Sequence, residues 1–416
     1  MSGVTHISRR CVRAIGGIGI ALFLLLPALM PAPASAQSSA WPAADGMLVF
    51  RSDRNGGSGV YLLDPGTSAT TSLNTKAGTS ESQPAWSPEG ERIAFIRRTG
   101  RNRRPDLFVM TAAGRARTRL TSSALAERDP SWSPNGTMLV YAARTSAIGD
   151  FHVFLAKADG SARVQLTGRD GRAPVFSPDG SKIAFVSERD GGFPELYVMN
   201  ANGRNERRLT HNTLIDGNPS WSPDGTHVVF ERCCPNGTSD IVTIDVATRA
   251  ETDLTSSSTS QDFDPTWSPD GTRIAYVSFR TAERNIDIWV MNADGTSQTR
   301  LTNAGAPDLS PDWQPLPACT IDGTDHAEEL LGTDGNDVIC GRDGADHVTA
   351  LGGDDLVIGG KGGDAILGQD GADLLLGQQG NDTLYGGRAY DVIDGGPGAD
   401  TCGAGADGAF RRMCEP

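Results

Sequence analysis

The apolar positions of the chain fall into two periodic patterns, and each predicts a kind of β structure. Between residues 45 and 316 a unit of about 45 residues recurs. Prolines mark it at Pro84, Pro130, Pro174, Pro219, Pro265 and Pro311. Two residues after each comes an aromatic: Trp86, Trp132, Phe176, Trp221, Trp267 and Trp313. In five copies a turn follows directly, as in Ser177-Pro178-Asp179-Gly180 and Ser222-Pro223-Asp224-Gly225. Proline presets φ for such a turn, Asp tolerates the next position, and Gly accepts the positive φ that closes a hairpin. Each turn leads into an apolar strand such as Ile93–Phe95 or Ile183–Phe185. A further strand follows, as in Glu195–Met199, and then a segment ending in Leu-Thr, as at Leu209-Thr210. Four strands per unit leave no room for a helix, so the units read as propeller blades.

The ends of this region set the expected count. The chain enters with a second strand at Met47–Phe50, a third at Val60–Leu63 and a fourth near Ser72-Leu73. It leaves with a lone first strand at Pro311–Trp313, after which the turn motif is gone. That strand is expected to complete the first blade and protect its edge. Six first strands then predict a six-bladed propeller.

From residue 317 to 416 the period shortens to nine. Asp recurs at Asp337, Asp346, Asp355, Asp364, Asp373, Asp382, Asp391 and Asp400. Gly stands two before each except at Ala389, and five before each except at Ala350. Two residues after each Asp stands Ile339, Val348, Val357, Ile366, Leu375, Leu384, Ile393 or Cys402. Glu328 and Leu330 form an imperfect earlier copy. Short inward-facing strands between Gly-rich turns stack into a two-sheet parallel β-roll. Alternate turns share an edge, so Asp337, Asp355, Asp373 and Asp391 should line one edge and the other four the opposite edge. The expected fold class is therefore all-β: a six-bladed propeller over 37–316 and a roll over 317–416. Residues 1–36 read as an export signal, with Arg9, Arg10 and Arg13 before an apolar run and Ala34-Ser35-Ala36 at the cleavage site.

Charge sharpens this picture. The chain carries a formal charge of −14. Residues 317–416 hold nineteen acidic against five basic side chains, which leaves thirty-two of each sign before them. An acidic tail without a basic patch excludes nucleic acid as the expected partner. It suits Ca²⁺, which takes roughly six to eight oxygens from carboxylates and exposed carbonyls. Without the metal, aligned carboxylates repel and the Gly-rich turns are costly to order, so metal binding is expected to be coupled to folding. After the signal six cysteines remain, with no CxxC spacing. An even count in an exported chain favours disulfides. The local pairs expected are Cys319–Cys340 and Cys402–Cys414. Cys233 and Cys234 are left to bond to each other, to stay free, or to pair between molecules.

The first region resembles the TolB-like propeller family in its Trp-Ser-Pro-Asp-Gly turn and in strands such as Ile183-Ala184-Phe185-Val186-Ser187. The resemblance speaks to fold, since one fold hosts many functions. The tail is similar to the hemolysin-type (RTX) nonapeptide, Gly-Gly-x-Gly-x-Asp-x-apolar-x. Gly359-Gly360-Lys361-Gly362-Gly363-Asp364 matches its six leading positions. The resemblance implies calcium at the eight Asp turns, with Ala350-Leu351 and Ala389 departing from the pattern.

No HExxH or GxSxG motif occurs, and the His residues are not at metal-ligand spacing with one another. Acidic residues precede several repeat prolines: Glu81, Asp129, Asp216, Asp262 and Asp264. They are placed near one mouth of the propeller channel, to bind a cation or basic peptide or to cap turns. The expected function is an exported calcium-binding protein, extracellular or in the cell envelope, with a propeller face that binds a protein or glycan. No membrane span is expected once the signal is removed. The alternative is a polysaccharide lyase or hydrolase using the channel.

Overall fold

The computed structural model describes residues 46–73, 80–99, 104–122, 126–146, 149–233, 238–256, 260–280, 285–315, 319–389, 391–396, 398–403 and 410–412. The export signal, Cys234 and Cys414 lie outside them. Every regular element within them is a strand.

The expected closure is present. Leu48–Ser52 pairs antiparallel with Asp308–Trp313, with Leu48 opposite Trp313 and Ser52 opposite Asp308. Together with Gly59–Leu63 and Thr70–Ser72 they form one four-stranded sheet. Three more four-stranded sheets begin at Glu81–Trp86, Glu127–Trp132 and Arg172–Phe176. The expectation of six separate blades is corrected at this point. Four sheets stand alone, whereas the strands from Ile215–Trp221 to Thr299–Arg300 form a single eight-stranded sheet. The cause is one parallel pair, Ser239 with Gln261, which bridges Ser239–Asp245 to Ser260–Trp267.

Neighbouring sheets pack face to face. Ile96, Leu107 and Val109 meet Trp132, Leu139, Tyr141 and Phe154 of the next sheet in one buried cluster. Full burial of such a side chain contributes roughly 1.5–3 kcal/mol. The recurring turn is held by its own side chains. Ser177 Oγ donates to Asp179 Oδ1 and accepts from Lys182 N at 2.9 Å. The recurring Leu-Thr has a role that its position alone does not reveal. The threonine hydroxyl accepts an N–H from the third strand of its unit: Leu107 N to Thr121, Val153 N to Thr167, Leu196 N to Thr210, Ile241 N to Thr255 and Ile288 N to Thr302.

The tail forms two parallel sheets. One contains Val338–Asp343, Leu356–Lys361, Leu374–Gln379 and Val392–Asp394; the other contains His347–Thr349, Ala365–Asp370, Thr383–Arg388 and Thr401–Gly403. Partners are eighteen residues apart, as Val357 with Leu375 and Ile366 with Leu384. The inward column from Ile339 to Cys402 is the core between the sheets. Cys319 bonds to Cys340 with Cα atoms 5.9 Å apart. Cys233 and Cys402 are also disulfide-bonded; Cys414, the partner expected for Cys402, and Cys234, one of the alternatives left open for Cys233, lie outside the described residues.

Thr210 tests the Leu-Thr hydroxyl. It is buried, accepts from Leu196 N at 3.0 Å and donates to Glu195 at 2.6 Å. Thr210→Val keeps the shape but strands the Leu196 N–H, and is expected to cost about 1–3 kcal/mol. In guanidinium unfolding followed by tryptophan fluorescence, the midpoint should fall with the slope unchanged.

Candidate functional site

The roll brings its carboxylates into two ladders. On one edge, Asp337 N donates to Asp355 Oδ1 at 2.8 Å, Asp355 N to Asp373 at 3.0 Å and Asp373 N to Asp391 at 3.1 Å. On the other, Asp346 N donates to Asp364, Asp364 N to Asp382 and Asp382 N to Asp400. The ladder on this edge begins with Glu328 N on Asp346, which gives the imperfect first copy a place in the stack. All eight Asp residues are buried.

One oxygen of each carboxylate thus serves the preceding coil. The other is different. The Oδ2 atoms of Asp346, Asp355, Asp364, Asp373, Asp382 and Asp391 are buried and accept no hydrogen bond. Asp337 differs, since its Oδ2 accepts from Thr333 N and Oγ1. Beside five of these orphan oxygens lies the glycine five residues earlier, Asp355 having Ala350 there. A Cβ on Gly341, Gly359 or Gly377 would stand 2.7, 2.5 or 2.5 Å from that oxygen. A buried, unpaired carboxylate oxygen is costly unless a cation meets it, and hard oxygen donors suit Ca²⁺. The residues present therefore fit the ion. Among the described residues no three His, Cys, Asp or Glu side chains come together. With one carboxylate per coil, backbone carbonyls would have to complete any coordination sphere.

The two irregular turns keep the ladder. Asp355 accepts from Asp337 although Ala350 stands where glycine is usual. Ala389 takes φ 70°, while Gly362 at the equivalent place has φ 135°. A Cβ on Gly362 would strike the Gly344 carbonyl, so Ala389 is confined to the tighter angle. The position four before each Asp from Asp346 to Asp400 is also left-handed, yet Arg342, Leu351, Gln369 and Gln378 occupy it in four of these turns.

The acids preceding the prolines divide into two groups. Glu81, Asp216 and Asp262, three residues before their prolines, do not line the channel. They are buried inside the blades. Glu81 faces Arg117 at 3.5 Å, Asp216 is gripped by Arg232 at 2.7 Å, and Asp262 accepts from Ser278 at 2.6 Å. Asp129 and Asp264, directly before their prolines, line a cavity of about 300 Å³ on the propeller axis. A bulge in each innermost strand sends them there. The register shifts at this point, and Gln83, Asp129, Ala173, Asn218, Asp264 and Ser310 all have φ between 43° and 54°. Such bulges re-aim a side chain.

Around the neck these residues form two arcs. Gln83 bonds Asp129, and Asp129 accepts from Ala173 N at 3.1 Å. Asn218 bonds Asp264, and Asp264 accepts from Ser310 Oγ at 3.3 Å. Two further acids were not singled out from the sequence. Glu231 accepts from Asp264 N at 3.1 Å and from Asn218 at 3.2 Å. It stands where four other copies have apolar Ile96, Ala142, Val186 and Val277 and the first has Arg51, so it is the one acid in this column. Gly217 makes room, since a Cβ there would stand 2.9 Å from Glu231 Oε1. Burial, and then the Asp264 charge, push Glu231 up to about 8. Asp312 lines the same cavity and accepts from Trp86 N at 2.7 Å. Burial raises it to about 7 against that hydrogen bond.

The architecture and its sites define an all-β protein in which a closed propeller carries a parallel roll with calcium-type carboxylate ladders. A model of the TolB beta propeller domain matches residues 27–173 and 171–233. A model of the dipeptidyl peptidase IV N-terminal region matches 222–314. The RTX calcium-binding nonapeptide repeat matches 322–357, 331–366, 349–384 and 376–408. The chain thus carries a TolB-type propeller domain followed by RTX calcium-binding nonapeptide repeats. It is similar to the Tol-Pal system protein TolB of Gluconobacter oxydans (strain 621H), 47% identical over 207 residues, covering 48% of this chain and 44% of that protein. It is also similar to the TolB homolog of Chlorobaculum tepidum, 34% identical over 135 residues, 32% of this chain and 29% of the relative. The chain spans less than half the length of these curated relatives. The crystal structure of TolB from Acinetobacter baumannii shares the fold, with TM-score 0.56 and 20% identity over 65% of this chain and 67% of that one.

The ladder carboxyls make a pH prediction. Asp373 and Asp382 are pushed up to about 7, and Asp355 and Asp391 to about 6. Burial is the main cause, opposed by the N–H from the preceding coil. Their ordinary value is 3.8, so the folded, calcium-free roll holds more protons than the unfolded chain. That contribution is complete below about pH 4 and is lost as pH rises through about 7. In chelator, the roll's melting temperature should therefore fall between about pH 5 and pH 8. Calcium added near pH 6.5 should release protons in a pH-stat. A calcium-free roll more stable at the higher pH would contradict the burial of these carboxyls.

Proposed function

We propose that this is an exported calcium-binding protein whose propeller is a binding scaffold for a protein or glycan. Calcium is taken up between coils of the roll, and the observation that carries this is the set of six orphan carboxylate oxygens, five of them beside the glycine five residues earlier. The RTX repeats favour export, and no helix among the described residues is long and apolar enough to cross a membrane. Outside the cell, where calcium is at its highest, extracellular modules bind it at roughly 10⁻⁴ to 10⁻³ M.

The propeller cavity supports binding rather than catalysis. Its described lining has no His, Lys or Arg. Arg128, which flanks it, is paired with Asp129 at 2.7 Å. Asp129, Asp264 and Asp312 give the cavity an acidic lining, which favours a ligand with a cationic group, such as a basic side chain of a partner protein. The ligand's identity is a matter for capture on the full chain in calcium and in chelator.

Asp364→Ala and Asp382→Ala should each lower calcium uptake in equilibrium dialysis of the full chain. Each removes one buried acceptor and one orphan oxygen. Asp370→Ala, whose side chain is 64% exposed beside Arg388, should leave uptake unchanged. Uptake undiminished in Asp364→Ala and Asp382→Ala, or a β-sheet signal that rises equally with Mg²⁺, would refute the calcium reading.

A further inference from the structure

The nine-residue repeat contains a period of eighteen. In the copies built on Asp337, Asp355 and Asp373, both neighbours of the inward residue are apolar: Val338 and Cys340, Leu356 and Ile358, Leu374 and Leu376. The alternate copies hold His347 and Thr349, Ala365 and Leu367, Thr383 and Tyr385 at these places. Alternate copies make alternate sheets, and side chains flanking an inward residue point outward. One sheet therefore has an apolar outer face and the other a mixed one.

The two outer faces differ in burial. Cys340, Leu356, Ile358 and Leu376 are 6–8% exposed, with Cys319, Val338 and Leu374 packed against them. On the other sheet Leu331, Leu367 and Tyr385 are 64%, 41% and 47% exposed. The cover on the first face is the propeller. Leu374, Leu376, Val392 and Asp394 form one wall of a narrow cavity of about 20 Å³, and Met47, Leu62, Trp86, Ala112 and Gln314 form the other.

That second wall is the place where the ring closes. Met47 N donates to Gln314 Oε1 at 3.1 Å, and Gln314 N to Met47 O at 2.8 Å. Gln314 Nε2 reaches on to Gly90 O of the next sheet at 3.0 Å. Four residues after Pro315 the chain reaches Cys319, which is bonded to Cys340 on the docking face. The tether is short, so the roll meets this wall at high effective concentration.

We propose that the apolar outer face of this sheet is a docking surface for the propeller's closure seam, and that calcium loading of the roll clamps the ring shut. The proposal rests on the calcium reading above. An ion that binds only the folded roll stabilises whatever the folded roll holds together.

All seven tryptophans lie at or before Trp313, so tryptophan fluorescence of the full chain comes from the propeller side of the seam, with Trp86 in its wall. The propeller's thermal midpoint should rise with added CaCl₂ in the wild type. Leu376→Arg should abolish the rise while calcium uptake in dialysis persists. Leu376→Ala should reduce it, and Leu367→Arg, at the matching place on the open sheet, should leave it intact. An equal rise in wild type and Leu376→Arg would overturn the proposal, as would calcium uptake by the wild type with no rise. If Leu376→Arg does not fold, an undiminished rise in Leu376→Ala overturns it. Wild-type protein that takes up no calcium would overturn the calcium reading as well, and dialysis alone separates that outcome from the others.

Discussion

The antiparallel pairing of Leu48–Ser52 with Asp308–Trp313 is the contact on which the rest of the molecule depends. Propeller sheets cohere by packing on their neighbours, so the ring is only as complete as its last junction. Here the junction is made by strands from opposite ends of the domain. Loop-closure entropy opposes it, and nonlocal backbone pairing with a buried Gln314 holds it. The axial cavity exists because of this closure, since Ser310 and Asp312 belong to the closing strand and Gln83 and Trp86 to the strand beside it. The start of the roll is placed by it as well.

Polar groups inside the propeller have a strict division of labour. Carboxyls three residues before the repeat prolines sit against Arg, Ser or Thr and organise the blades. Side chains one residue before them are turned by a bulge into the channel. In this way a single strand supplies both a buried structural contact and a channel-facing group. The same economy governs the roll, where one carboxylate oxygen supports the neighbouring coil and its twin accepts no hydrogen bond. In both domains a buried acid is tolerated because its partners are fixed by backbone geometry.

Much of this was legible in the residues. The proline and Asp columns have strict periods, and period translates directly into strand order, closure and the two carboxylate edges. Other features depend on quantities that a sequence does not display. The bulge at Asp129 and Asp264 is a matter of φ, and no residue type advertises it, since Gln, Asp, Ala, Asn and Ser all adopt it. Spacing alone therefore grouped Glu81, Asp216 and Asp262 with the channel acids. The merging of two units into one eight-stranded sheet rests on a single pair at strand ends, Ser239 with Gln261. Glu231 could have been found by comparing the copies column by column, because an acid stands there among Ile, Ala, Val and Arg.

The carboxylate ladders have a consequence for how the roll assembles. Each Asp N–H from Asp337 to Asp382 finds its acceptor one full coil further along the chain. A coil is thus completed only when its successor is laid down, and the stack is a one-dimensional array with nearest-neighbour coupling. In such an array nucleation is harder than propagation. The coils that carry Leu374, Leu376 and Val392 meet the propeller wall, so they are a ready nucleus from which order should spread along the stack.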